Sequence, residues 1–200
     1  MKFKAVLGAV FLSAVFAAPA MALEKGDMIV RAGWTTVSPK GNNHSVVNVD
    51  SGSSLGVNLA YMLSPNLSVE VLAAYPFSHD INLNGGGKVA STKHLPPTVS
   101  LQYHFMTDKT FKPYVGLGLN YTTFFSTKTT GALDGTKLTL GDSFGLAGEI
   151  GADIMLENNW LLNFSARYMD IDTKAKLDGA SLGDVNIDPW VYTFAVGYKF

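Results

Sequence analysis

From Met28 onward the chain alternates apolar and polar side chains with a period of two, the pattern of strands whose two faces meet different surroundings. Eight segments carry it. The first sets Met28, Val30, Ala32 and Trp34 against Arg31, Gly33 and Thr35, and the second sets Leu55, Val57, Leu59 and Tyr61 against Ser54, Gly56 and Asn58. A third runs Leu67, Val69, Val71, Ala73 and Tyr75; a fourth runs Leu95, Val99, Leu101, Tyr103 and Phe105; a fifth runs Val115, Leu117, Leu119 and Tyr121. The sixth carries Phe144, Leu146, Ile150 and Ile154, and the seventh Trp160, Leu162, Phe164 and Tyr168. The eighth ends the chain with Trp190, Tyr192, Phe194, Val196, Tyr198 and Phe200.

The polar parity decides what the two faces meet. Arg31, Glu70, Glu149, Asp153, Arg167 and Lys199, the charged residues within these strands, all fall on the face that carries Gly, Ser, Thr and Asn. A soluble sandwich also alternates, with its apolar face on a core, and a lipocalin-like barrel keeps its apolar residues inside. Segments of about nine to eleven residues with aromatics near their ends fit a strand that crosses a membrane at a tilt, apolar side to lipid. The connections agree. Residues 64–66, 107–109 and 157–159 are short links, whereas 38–53, 76–92, 127–141 and 170–188 are long, which predicts periplasmic turns and extracellular loops. The expected fold is all-β, an eight-stranded antiparallel transmembrane β-barrel of the bacterial outer membrane over residues 23–200.

The N-terminus supplies the export route. Lys2 and Lys4 precede an uncharged run over residues 5–17, and Ala20-Met21-Ala22 provides small residues for signal peptidase, so residues 1–22 are read as a signal peptide. The run is too short for a membrane-spanning helix. Composition then narrows the chemistry. The 200 residues are 47% apolar and only 16% charged, against roughly a quarter charged in ordinary soluble domains. A net charge of −1 offers no footprint for nucleic acid. With no cysteine there is no disulfide, thiol nucleophile, iron–sulfur cluster or thiolate zinc site.

An eight-stranded barrel has a lumen that side chains just fill. Facing Leu156 with Trp160 in the sixth-to-seventh hairpin puts Glu149 opposite Arg167, and Arg31, Glu70, Asp153 and Lys199 fall at similar depth lower down. The six are read as an interior charge plug; the alternative is a charged selectivity constriction. With the axis plugged, an apolar solute leaves through the wall. Pro96 and Pro97 on the fourth strand cannot donate ladder hydrogen bonds, and Pro76 ends the third. These prolines mark either a lateral opening or a bulge that only ends the strand, with His94 beside them satisfying freed backbone. Leu72 and Phe124 would line the lumen path above the plug.

No catalytic, metal or cofactor site is expected. Ser100 shares the inward parity of His94 and His104, but four residues of strand put His104 about 13 Å away, too far for contact. The histidines at 44, 79, 94 and 104 are too scattered to converge on a metal. Phe200, preceded by aromatics at Phe194 and Tyr198, reads as the terminal signal for the outer-membrane assembly machinery.

Four stretches resemble the outer membrane protein W family: Lys93 to Tyr103 (KHLPPTVSLQY), Lys112 to Phe125 (KPYVGLGLNYTTFF), Tyr168 to Thr173 (YMDIDT) and Asp188 to Val191 (DPWV). The likeness runs in order along the whole mature chain. It implies an eight-stranded outer-membrane barrel, passage of small apolar molecules and a lateral opening, with Arg167 standing where the family tends to have an aromatic. The expected function is a channel-like protein assisting small hydrophobic solutes, with outer-membrane lipid, the assembly machinery and those solutes as partners. The alternative is a surface-display barrel, an adhesin or a phage or colicin receptor, without transport.

Overall fold

The computed structural model describes residues 22–41 and 43–200. The expected signal segment lies, apart from Ala22, outside the described residues. The strands are β1 (Met28–Ser38), β2 (Val47–Val49), β3 (Gly52–Ser64), β4 (Leu67–Ala74), β5 (Phe77–Leu83), β6 (Lys88–Leu95), β7 (Thr98–His104) and β8 (Phe111–Thr129). They continue with β9 (Leu138–Leu140), β10 (Ser143–Met155), β11 (Trp160–Met169), β12 (Asp172–Leu177), β13 (Ala180–Asn186) and β14 (Trp190–Lys199).

Eight of them close into an antiparallel barrel in the order β1, β3, β4, β7, β8, β10, β11, β14, and β14 returns to β1 with Arg31 opposite Gly197. Closure leaves no open sheet edge, the condition for strands in hydrocarbon. The outward parity is apolar and exposed around the wall, including Leu59, Val71, Leu101, Leu117, Ile150 and Val196. Aromatics band both ends. Trp160 meets Tyr198 edge-on at 5.3 Å and Tyr198 meets Phe200 at 4.8 Å at the end of the short turns; Tyr168 and Trp190 pair at 5.6 Å at the other. Amphipathic rings sit at the level of lipid headgroups, so these bands mark the two interfaces.

Beyond the outer band the chain departs from expectation. The segments 38–53, 76–92, 127–141 and 170–188, expected as loops, carry strands β2, β5, β6, β9, β12 and β13. They build a second storey that turns its apolar side chains inward, and along β4–β5 the buried parity itself changes. In β4 the odd residues Val71 and Ala73 face out, whereas in β5 the odd residues Phe77, His79 and Ile81 are buried and Ser78 is exposed. Above the membrane the outside is water, so the apolar face turns inward. A change of one residue in register produces such a flip. Leu72 is paired with Thr98 below, and Phe77 with His94 above, leaving residues 73–76 facing the shorter segment 95–97 with no ladder pairing between them.

Small lumen residues let the wall close. A Cβ added at Gly33 would stand 2.1 Å from the carbonyl oxygen of Phe194 and 2.7 Å from Ala195 Cβ, whereas one at the lipid-facing Gly148 meets nothing within 4 Å. Gly33→Val is therefore expected to lower barrel stability by about 1–3 kcal/mol in urea unfolding from lipid vesicles, with Gly148→Val near wild type; equal losses would contradict the assigned faces.

Candidate functional site

The lumen is layered. At the periplasmic end Leu23, Ile29, Ala60, Met62, Met155 and Leu161 form an apolar floor. Above it the charged parity converges. Arg31 lies across Asp153 with Nε to Oδ1 at 2.9 Å and Nη2 to Oδ2 at 2.5 Å, and its Nη1 is 3.6 Å from Glu70. Arg167 bridges Glu70 and Glu149, the latter at 2.8 Å. Glu149 and Arg167 are directly opposed in the β10–β11 ladder.

Neutral residues tie these ions together. Gln102 donates to Glu70 at 2.7 Å and to Glu149 at 2.9 Å, Asn58 donates to Glu70 at 3.3 Å, and Asn163 donates to Asp153 at 2.8 Å and to the Tyr114 hydroxyl at 3.0 Å. Tyr114 also lies under Arg31, whose Cζ is 5.4 Å from the ring centre. All are almost completely buried and come from every barrel strand except β14, whose lumen face offers Ala195 and Gly197. Sequence reasoning passed over Gln102, Asn58, Asn163 and Tyr114 because neutral inward residues carry no charge signal, although their parity was legible.

Lys199 does not join the cluster. Its ammonium pairs with Asp27 at 2.9 Å, because the last residue of β14 lies at the periplasmic rim, below the layer that Arg31 and Glu70 occupy. Lys112, unremarked in the sequence, is fully buried and donates to the carbonyls of Thr107 and Lys109 at 2.6 Å each, fastening the periplasmic turn. His104 meets Ser68 at 2.9 Å rather than Ser100, and its Nδ1 has no partner among the described residues, so the pair lacks an orienting third group.

Above the charges lies an apolar layer that includes Leu72, Phe77, Met169, Ile171 and Val191, with Phe124 packed against it. Over it opens a cavity of about 230 Å³ walled by the second storey, with Ile81, Val89, Phe124, Leu138, Ala175 and Val185 among its lining. Phe124 thus lines the cavity, whereas Leu72 lies in the layer beneath it. The cavity itself was invisible in the sequence, because its walls lie in segments read as loops; the alternation of Phe77, Ile81 and Leu83 was the missed signal.

The prolines sit beside this cavity. Pro96 is buried, Pro97 is exposed and Pro76 is half-buried, all within the unpaired stretch of wall. Asn120 on β8 donates to the carbonyls of Pro96 and Pro97 at 3.2 Å each, and the Tyr121 amide donates to Pro97 at 3.0 Å. Asn120, not His94, serves the freed backbone. His94 instead stacks on His79 at 4.8 Å and on Phe77 at 5.5 Å, and leans on Phe124 at 5.7 Å. The outward neighbours Ser78 and Lys93 are polar and exposed, which puts this pair above the hydrocarbon. Burial lowers the pKa of both imidazoles, that of His94 to about 3 with the neighbouring His79 adding to the effect, so both are neutral at pH 7. At the outer rim Asp170, Asp172 and Asp188 gather, with Asp188 paired to Lys40 and accepting the Ile171 amide.

A closed eight-stranded barrel with a lipid-facing apolar band and a charged, hydrogen-bonded lumen defines an outer-membrane β-barrel. Its relatives place it further. The OmpW family matches residues 24–200, and the chain belongs to that family. It is 47% identical to outer membrane protein W of Vibrio cholerae serotype O1, over 98% of each chain. The crystal structure of the outer membrane protein OprG from Pseudomonas aeruginosa superposes with a TM-score of 0.81 at 40% identity, covering 90% of this chain and 98% of that one. The outer membrane protein AlkL, solved in DMPC bilayers, shares the fold with a TM-score of 0.67 at 23% identity, covering 92% and 95%. The protein resides in the outer membrane.

Breaking one partner of a buried ion pair leaves a charge uncompensated. Arg31→Met is expected to cost about 3–5 kcal/mol, whereas Lys199→Met, removing a pair at the rim whose aspartate is partly open to water, should cost less. Equilibrium unfolding of the two variants side by side checks the ranking.

Proposed function

We propose that the barrel takes small hydrophobic solutes from the outside into the cavity and releases them sideways into the outer leaflet through the seam at Pro76, Pro96 and Pro97. The observation that carries this reading is adjacency: His94 and Phe124, at the cavity's lower end, stand directly above the stretch where β4–β5 and β6–β7 make no ladder bonds. The axial alternative is unfavourable. A solute moving down the lumen would have to cross the apolar layer, separate the Arg31–Asp153 and Arg167–Glu149 pairs and pass the periplasmic floor. Uncovering those buried charges costs several kcal/mol per ion. The side route asks only that the half-buried Pro76 and the buried Pro96 yield, where no interstrand bond is lost.

In this reading the charges serve as a plug, Leu72 forms the step below the path, and Asn120 holds the β7 side of the opening in place. Phe200, which closes the β14–β1 seam through its amide on the Met28 carbonyl at 2.8 Å, is the end presented to the assembly machinery. Replacing Pro96 and Pro97 together by valine restores two donors at the seam. Uptake of an apolar fluorescent tracer into vesicles should then fall several-fold while the barrel stays folded; uptake unchanged from wild type would overturn lateral release.

A further inference from the structure

The seam brings few backbone polar groups to face one another. Pro96 and Pro97 contribute no amide to it. On the facing lip the Tyr75 amide is committed to the Leu55 carbonyl of β3, Pro76 has no amide, and Ala73 and Ala74 are in register with Val57 and Gly56 of β3. That leaves the carbonyls of Pro96 and Pro97 themselves. Successive carbonyls of a regular strand point to opposite edges, so one of the two would ordinarily face β4–β5 across the gap.

Instead both turn to β8. They accept from one nitrogen, Asn120 Nδ2, at 3.2 Å each, and that nitrogen also donates to Thr98 Oγ1 at 2.9 Å. The Thr98 hydroxyl donates in turn to the Pro96 carbonyl at 3.1 Å, and the Tyr121 amide donates to the Pro97 carbonyl at 3.0 Å, so each proline carbonyl has two donors. The orientation of the Asn120 amide is fixed as well. The Thr122 hydroxyl donates to its Oδ1 at 2.7 Å, and a flipped amide would set Oδ1 against three oxygens. Asn120, Thr98 and Thr122 are almost completely buried, so water does not compete for these bonds.

We infer that Asn120 is a positioning residue that sets the solute preference of the seam: by drawing both proline carbonyls to β8 it keeps acceptors out of the exit path and leaves a rim suited to solutes without a hydrogen-bond donor. This rests on the reading of the seam as the exit. An apolar solute passing a bare carbonyl would cut it off from every donor, which is costly. A solute carrying a hydroxyl would supply the missing donor, and a released carbonyl would favour it.

The test measures uptake into vesicles carrying the full barrel, with an apolar fluorescent tracer and its hydroxyl-bearing analogue, each corrected for vesicles without protein. Wild type should take up the apolar tracer several-fold faster. Asn120→Leu, similar in volume and unable to donate, should slow the apolar tracer roughly tenfold, the order that one carbonyl without a donor supplies, and slow the hydroxylated analogue far less, so that the preference collapses or reverses. Thr122→Val, which frees Asn120 Oδ1 without touching the prolines, should move the ratio the same way by a smaller factor. A merely structural loss would slow both tracers together. Equal rates for the two tracers in wild type, or an unchanged ratio in a folded Asn120→Leu barrel, would therefore overturn the inference. If Asn120→Leu fails to assemble, judged by heat-modifiable gel mobility, the ratio in Thr122→Val decides alone. The exit itself is tested separately by the paired valine replacements at Pro96 and Pro97: uptake that falls there while the Asn120→Leu ratio stays at the wild-type value removes only the role of Asn120, whereas uptake unmoved by the valines removes the lateral exit and this inference with it.

Discussion

Within hydrocarbon no water is present to take up an unpaired amide or carbonyl, so a membrane-crossing sheet must satisfy its backbone internally. That constraint shapes the whole molecule. It forces β14 back onto β1, sends the apolar parity of eight strands to lipid and confines polar parity to a narrow lumen. A stretch where neighbouring strands fail to pair, residues 73–76 against 95–97, lies at the upper edge of the barrel. There the backbone cost is reduced because proline has no amide to leave unsatisfied, and because Asn120 and the Tyr121 amide take up the proline carbonyls.

The lumen answers a second requirement that follows from the first. Eight strands enclose a space too narrow for bulk water yet lined by polar residues, so charges placed there must find partners in the protein. Arg31 with Asp153, and Arg167 with Glu70 and Glu149, meet that need through contacts spanning the barrel's cross-section. Gln102 ties the two acids to one another. The network is therefore a consequence of barrel size as much as of function.

The second storey reverses the barrel's rule. Once the strands rise beyond the headgroups the solvent outside becomes water, and the same alternation buries its apolar side inward, with Phe77, Ile81, Ala175 and Val185 enclosing space where the lower storey encloses ions. Along β4–β5 the switch goes with a one-residue change in pairing between Leu72–Thr98 and Phe77–His94, whereas on β6, β12 and β13 the buried parity runs on and the residues that occupy it turn apolar. Polar residues persist among the lining, with His44, Thr92 and Thr173 beside the stacked His79 and His94.

Much of this was legible in one dimension. Period-two alternation and the side of each strand on which the charges fall are local properties, so strand number, the lipid-facing residues and the Glu149–Arg167 pairing could be read without a structure. The fate of Lys199 could not, because depth in a barrel depends on strand stagger, which only closure sets, and closure carried it to Asp27. Nor could the fate of His94, read as a backbone partner and found instead in an aromatic stack, since nothing local says whether residues 76–92 form a loop or a hairpin with inverted faces. The sequence by itself determined an outer-membrane barrel with a polar lumen, because alternation responds to the two media on either side of a strand. Only the tertiary structure decided where the faces exchange and what the exchange encloses, because a register shift of one residue is a property of two strands together.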